Sequence, residues 1–592
     1  MLKLFRYLKP YWWQILILLA ATSLQVYTTL RLPALMADII NDGIVKEDTG
    51  MIWMVGGKMI LFAVISALGS LISSYYSSVI GAGFSKTLRA ELFKKVLSYS
   101  MTDMKTFSTA SLITRTTNDV TQVRQTFTMI LSMMLRAPLF AVISFIMAIE
   151  TAPDMSWIIA VGLVAIICSI VLIMSLVIPK FRIFQKLLDR TTLLTRENLT
   201  GLRVIRAFNN QKVEKRKFMK TNEELTKLLI YVDRILELQN PFINIIFNGT
   251  TLLCAWIGIS LLSKDIAYLG NMIAFAQYVG HVMMAFLMLS ILFVMIPRAN
   301  VSAERINEVL KLNTKIHWKK ETTGTPNKVP SVEFKNVDFM YPDAEEKVLS
   351  DVSFVANAGE TTAFVGSTGS GKSTLINLVP RFYEATAGDV IVNGIPVKDY
   401  EKDDLMTRIG FVPQRGILFS GTVKSNIKFG APHATDAEVR HAAEVAQADG
   451  FISRLPEKYN AHISQGGTNV SGGQKQRLSI ARAICKKPQI FVFDDSFSAL
   501  DMKTDAKLRE ALKPETKGAV VLIVAQRIST IKDADQIVVL DGGKVVGKGK
   551  HFELLSTCPV YEDIVRSQLS DSEFKNEMRL AKNKKSEVKN GQ

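Results

Sequence analysis

The run Gly366-Ser367-Thr368-Gly369-Ser370-Gly371-Lys372-Ser373 sets glycines, hydroxyls and one lysine at a spacing that suits phosphate. A strand-like stretch, Thr361 to Val365, precedes it and a helical pattern follows, which is the context such a loop requires. The glycines let successive N–H groups turn toward phosphate oxygens, and the helix start adds positive potential. Lys372 is placed to reach the terminal phosphates and the Ser373 hydroxyl to ligate Mg²⁺. A second constellation, Ile490-Phe491-Val492-Phe493-Asp494-Asp495, is an apolar strand that ends in two carboxylates. Asp494 supplies a carboxylate to the same Mg²⁺, directly or at one remove. A base that activates water at the next position needs reach as much as pKa, and Asp495 is one methylene shorter than the glutamate usual in such a layout. The expectation is a site that binds ATP well and hydrolyses it slowly.

Between these two elements lies Val470-Ser471-Gly472-Gly473-Gln474, which opens a basic helix with Lys475, Gln476 and Arg477. Physically it is another anion site, with a serine hydroxyl and glycine N–H groups at a helix start. Two such sites are redundant within one nucleotide-binding chain. The element resembles the signature motif of ATP-binding cassette (ABC) transporters. That resemblance implies two cassettes sandwiching two nucleotides head to tail, each signature completing the site of the opposite cassette. Other motifs fall in the family's order and extend the resemblance to an ABC exporter half-transporter. Tyr341 stands where the family stacks an aromatic ring on adenine, and Thr374 closes the nucleotide-binding loop. Gln414, in Phe-Val-Pro-Gln, matches the Q-loop, which senses Mg²⁺, and Ser498-Ala499-Leu500-Asp501 resembles the D-loop. The implied cofactors are ATP and Mg²⁺, the latter held by Ser373, Gln414 and Asp494, and the implied activity is ATP hydrolysis coupled to transmembrane transport.

The sequence departs from the family at the place where hydrolysis would occur. Asp495 replaces the catalytic glutamate, and Gln526, in Val-Ala-Gln-Arg, stands at the switch histidine. Glutamine can hydrogen-bond a γ-phosphate but cannot become cationic or relay a proton. Gln465, where many exporters carry a glutamate, is a milder departure. With Ser471, Gly472, Gly473 and Gln474 intact, the resemblance points to a heterodimer. In it this chain holds ATP in a weakly active site and lends its signature to a second half-transporter whose Walker B glutamate, at the position of Asp495 on the equivalent apolar strand, does the chemistry.

These motifs need a scaffold, and 592 residues with 48% hydrophobic content exceed a single soluble core. Apolar stretches at about 11–30, 51–76, 127–149, 157–178, 241–262 and 272–296 each approach the roughly 20 residues that cross a bilayer as helix. The expected architecture is an α-helical six-span membrane domain over 1–312 with long cytoplasmic helical extensions. A linker over 313–330 leads to an α/β P-loop cassette over 331–568, and a basic tail over 569–592 is expected to be disordered. The first span is too long for a removable signal peptide. Lysines and arginines crowd the N-terminus and the segments 86–124 and 180–234, whereas the short connections carry Asp38, Asp42, Asp48, Glu150 and Asp154. By the positive-inside rule this expects a multi-pass cell-membrane protein with both termini and the cassette cytoplasmic. The formal charge of +17 is then inner-leaflet anchoring to the lipid bilayer, not a nucleic-acid surface. The four cysteines, Cys168, Cys254, Cys485 and Cys558, show no metal or disulfide spacing.

Polar residues inside spans are candidates for substrate contact. Asn244 and Asn248 lie four apart on one helical face. Arg136 sits inside a span, roughly 10 Å from its cytoplasmic boundary, and either snorkels or faces a cavity. Met283, Met284, Met288 and Met295 give the last span adaptable thioethers. Segments around 105–112 and 196–206 resemble the family's coupling regions. The function expected is ATP-driven export of hydrophobic or amphipathic small molecules, multidrug-like; the alternatives are a regulatory or sensor subunit, or a lipid or peptide exporter.

Overall fold

Apolar runs with few helix breakers and polar continuations at their ends favour helices that outlast the bilayer, and that is what forms. The structure, a computed structural model, describes residues Leu2–Leu262 and Tyr268–Asn590. Among these, six helical stretches are long and apolar enough to cross a membrane: Lys3–Ile44, Thr49–Leu97, Thr109–Thr151, Pro153–Thr200, Gln211–Ser260 and Leu269–Leu289. The last continues as helix to Lys311. Pro33, Pro179 and Pro297 lie inside these helices. Each removes one backbone donor, which long membrane helices tolerate when neighbours satisfy the freed groups.

Two compact units divide the chain, the first made of Met1–Leu97 and Ser108–Leu312. Lipid supplies no hydrophobic drive between helices, so small and hydroxyl residues hold them together. The Thr22 and Ser73 hydroxyls meet at 2.8 Å, Thr29 and Ser66 at 2.7 Å, and the buried Tyr278 hydroxyl donates to the Leu30 carbonyl at 3.0 Å. Gly69 allows the first two long helices to approach, since a Cβ there would stand 3.1 Å from the Ala21 carbonyl.

The second unit joins Ser98–Phe107 to the chain from Asn313 onward. Its strands are β1 (Ser331–Phe339), β2 (Leu349–Asn357), β3 (Thr361–Gly366), β4 (Ala387–Val392), β5 (Ile395–Pro396), β6 (Ile409–Val412), β7 (Gly421–Thr422), β8 (His462–Ile463), β9 (Ile490–Asp494), β10 (Val520–Val524), β11 (Gln536–Asp541) and β12 (Lys544–Gly549). An antiparallel sheet runs in the order β2-β1-β4-β5, and a mainly parallel one runs β12-β11-β3-β10-β9-β6, with only β12 antiparallel. Every residue of β9 and β10 is buried, as expected for parallel strands covered on both faces. Because β3, β9 and β10 are adjacent and parallel, their carboxyl ends bring the glycine-rich loop, the aspartate pair and Gln526 to one edge, where α/β sheets place ligands.

The tail departs from expectation. In place of disorder beyond Ser570 the chain forms the helix Asp571–Asn590, with Phe574 and Met578 packed on the cassette core and Ala581 buried in it. These three positions, spaced four and three apart, are a helical stripe that the surrounding Lys, Glu and Asn conceal. The buried His551 ties the region together, its Nδ1 2.7 Å from the Tyr561 hydroxyl and its Nε2 3.4 Å from Glu577. The last two residues of the expected tail lie outside the described ones.

Candidate functional site

The turn after β3 needs glycine for steric reasons. Gly371, with φ of +94°, caps the helix Lys372–Leu378 in the left-handed region, and a Cβ there would lie 2.9 Å from the Val348 carbonyl. A Cβ on Gly366 would collide with the carbonyl of Leu540 on the neighbouring strand. The loop therefore wraps tightly, and the Lys372 ammonium folds onto its own carbonyls, 2.9 Å from Gly366 and 2.7 Å from Ser367, and 3.3 Å from the Ser370 hydroxyl. Burial holds that ammonium below the ordinary lysine range, against the pull of Asp495 and Asp494. A phosphate would relieve this by giving the charge a partner.

The Ser373 hydroxyl donates to Asp494 at 2.7 Å. Burial pushes the Asp494 carboxyl above the usual aspartate range, and the neighbouring Asp495 adds to the shift. Two oxygen donors converge where a carboxylate lacks a full counter-charge, a donor set that fits Mg²⁺. Asp495, also raised by burial, receives the Gln414 side-chain amide at 3.3 Å, and its backbone sits at φ of +45°. Tyr341, Gly366, Ser367, Thr368, Gly369, Gly371, Lys372, Ser373, Thr374, Gln414, Asp495 and Gln526 all line one cavity of about 640 Å³. Ser370 and Asp494 flank it through their bonds to Lys372 and Ser373.

Tyr341 is fixed by its hydroxyl, 3.0 Å from that of Thr374, and by edge contacts to Phe339 and Tyr383. The Lys105 ammonium lies 4.3 Å from its ring centroid, a contact that no nucleotide motif foretells. Lys105 belongs to the Ser98–Phe107 segment, whose Asp103 also accepts from the Lys315 amide at 3.4 Å. The other expected coupling segment includes the short helix Leu202–Ala207, which buries no side chain. Sequence reading also passed over Ile564, Ser567 and Gln568, which line the nucleotide cavity from the C-terminal side. They lie in no motif and nearly two hundred residues from the loop they face, so no spacing signals them.

The signature residues are elsewhere. Ser471 accepts from the Gln474 amide at 3.3 Å and caps the helix Gly472–Cys485, leaving Ser471 and Gly472 exposed. None of Ser471–Gln474 lines the cavity of the same chain. Ser498 donates to the Asp495 carbonyl at 2.9 Å, and Asp501 caps the helix Met502–Glu515. Arg527 holds the Ser498 and Leu500 carbonyls at 3.1 and 3.2 Å, so the D-loop and the loop of Gln526 are fastened together.

In the first unit a cavity of about 740 Å³ is lined by Asn244, Gln277, His281, Phe247, Met283 and Met284, among others. Asn248 and Arg136, the other two candidates for substrate contact, are not among its lining residues. The Arg136 guanidinium instead stacks 5.2 Å from the Phe140 ring, and its buried Nε has no hydrogen-bond partner among the described residues. Phe140 in turn lies 5.6 Å from the His281 ring. Gln277 and His281, four apart in an apolar span, are the polar pair that the sequence reading missed.

Residues 15–286 match the ABC transporter transmembrane region and residues 349–498 the ABC transporter family proper. An uncharacterised ABC transporter ATP-binding protein of Mycobacterium tuberculosis is 37% identical over 574 residues, covering 95% of this chain and 97% of that one. An ATP-dependent lipid A-core flippase of Pseudomonas savastanoi pv. phaseolicola is 31% identical, covering 84% and 82%. A bacterial Atm1-family ABC exporter solved with ATP bound shares the fold, with a TM-score of 0.79 at 22% identity and coverage of 94% and 98%. The chain therefore belongs to the ABC transporter family, as an exporter half-transporter with a multi-pass membrane region joined to an ATP-binding domain. Its ATPase domain binds ATP, and hydrolysis is coupled to transport.

Lys372→Ala is expected to weaken ATP binding to this chain's site by about ten- to a hundredfold, the loss of one charge-assisted hydrogen bond. Titration with a fluorescent ATP analogue, using ADP as competitor, reads the change.

Proposed function

We propose that this chain is the slow-site subunit of a heterodimeric exporter whose cassettes face the cytoplasm. The carrying observation is that Asp495 and Gln526, its two departures from the family pattern, line the same cavity as Lys372 and Gln414, while the Ser471 helix start is intact and exposed. Random decay would not spare the element that serves another subunit's nucleotide. In this reading Tyr341 stacks the adenine, Lys372 and the loop amides hold the phosphates, and Ser373, Asp494 and Gln414 hold Mg²⁺, which neutralises phosphate charge when bound. Asp495 occupies the base position without the reach to orient water well, and Gln526 contacts the γ-phosphate without relaying a proton. ATP in this site lasts and holds the cassettes together, because its contacts are complete only in the closed pair. Ser471, Gly472 and Gly473 meet the ATP of the partner, whose glutamate does the chemistry.

The substrate class is amphipathic. Asn244, Thr251, Gln277 and His281 offer a few polar groups within a wall that is otherwise mainly Phe, Ile, Ala, Leu and Met, the composition of a pocket for a mostly apolar ligand. The flippase among the relatives handles a molecule of that character. Purification of the tagged chain from native membranes, followed by intact-mass analysis, tests the assembly. An equimolar second half-transporter with a Walker B glutamate is the expected result; a pure dimer of this chain would overturn the reading.

A further inference from the structure

The loop that carries Gln526 is held from three sides. Its backbone N–H faces the Asp495 carboxylate, which that bond helps to stabilise in its charged form. The Arg527 side chain reaches the D-loop carbonyls of Ser498 and Leu500. The third hold comes from the C-terminal part of the cassette. Gln568 donates its side-chain amide to the Gln526 carbonyl at 2.7 Å and accepts the Ile528 N–H on its Oε1 at 2.9 Å.

That pair of bonds uses both ends of one primary amide. Ile528 opens the helix Ile528–Ile531, whose N-cap Arg527 makes no side-chain cap bond. An uncapped first turn leaves donors without intrahelical partners, and Gln568 satisfies one of them from forty residues further along the chain. The carbonyl it binds belongs to the residue whose side chain lines the nucleotide cavity, and Gln568 lines that cavity too. Fixing the Gln526 carbonyl fixes the plane of the peptide that follows its Cα, and with the N–H of the same residue held at Asp495 the two planes together set the direction in which its side chain leaves the backbone.

We infer that Gln568 is a positioning residue for the γ-phosphate side of the nucleotide site, clamping the Gln526 peptide from the C-terminal helix Pro559–Arg566 and its exit. The inference rests on the reading of Gln526 as the γ-phosphate contact. Gln568 neither donates to nucleotide nor moves a proton; its role is to deny the loop a second orientation. Because Ser570 begins the next helix by capping Glu573 at 3.4 Å, the clamp also joins the C-terminal helix to the nucleotide cavity within one unit.

The test uses the full-length assembled transporter, with Gln568→Ala and Gln568→Glu beside the wild type. One measurement is hydrogen exchange at the Ile528 amide. The other is the rate at which ATP, and separately ADP, leaves this chain's site. In Gln568→Ala both bonds are lost. Exchange at Ile528 should quicken about tenfold and ATP release about fivefold, the range of a single lost hydrogen bond, while ADP release stays within about twofold. Gln568→Glu keeps an acceptor for Ile528 but has no donor for Gln526. Exchange should then stay near wild type while ATP release still quickens. A general loosening of the cassette would speed ATP and ADP release alike, and that result, or unchanged ATP release in both variants, overturns the inference. Each copy of the chain carries its own Gln568 and Gln526, so the measurement reads equally in a homodimer, where the heterodimer proposal would already have failed.

Discussion

Gly472→Asp is expected to silence steady-state ATP hydrolysis by the assembled transporter, by at least about a hundredfold, while ATP remains bound in this chain's own cavity. A Cβ at Gly472 meets nothing within 4 Å, so the fold accommodates a side chain there. A carboxylate in the first turn of the helix Gly472–Cys485 even favours that helix, because it sits at the positive end of the dipole. What it opposes is a phosphate arriving from outside the chain. Two unit charges about 4 Å apart near a protein surface repel by on the order of 4 kcal/mol, several hundredfold in occupancy. The measurement is phosphate release paired with retention of labelled nucleotide by this chain. A loss smaller than about tenfold would mean that Ser471–Gln474 completes no working site.

In that same silenced background, Asp495→Glu combined with Gln526→His should restore hydrolysis, raising the rate at this chain's site by about a hundredfold. A well-placed general base contributes on that scale, and histidine returns a group that can take up and release a proton. In the proposed heterodimer the Gly472→Asp background removes the partner's contribution, so the gain belongs to one site. The backbone sets a cost. Asp495 has φ of +45°, where short polar side chains are better tolerated than long ones. Glutamate there should lower stability by about 1 kcal/mol, visible as a melting temperature a few degrees down. If activity stays flat while the protein remains folded and binds ATP, Asp495 and Gln526 are not what limits the site.

Motif residues were readable because their chemistry dictates both type and spacing. A loop that turns N–H groups inward needs glycine at Gly366 and Gly371, and these positions prove to be the ones where a Cβ would strike neighbouring carbonyls. The spans were readable because their length answers to the bilayer. Less legible were residues whose role depends on which elements become neighbours. Gln568 is an ordinary polar residue until the fold sets it against the peptide of Gln526. Asn244 and Asn248 share a helical side by spacing, yet only Asn244 lines the cavity, because the facing helix decides where a cavity begins. Phe574, Met578 and Ala581 form a stripe too sparse to stand out among the charges around it.

The second unit is discontinuous in sequence, and this bears on how its nucleotide chemistry should be studied. Ser98–Phe107 belongs to it as surely as the strands do. A soluble fragment beginning at Asn313 would carry every phosphate-binding residue and still lack ten residues of its own surface. The Tyr341 ring would lose the Lys105 cation, and the Lys315 amide would lose the Asp103 carboxylate. Affinities for adenine nucleotides measured on such a fragment would describe a bared aromatic ring, and their difference from the intact chain would measure what those ten residues contribute.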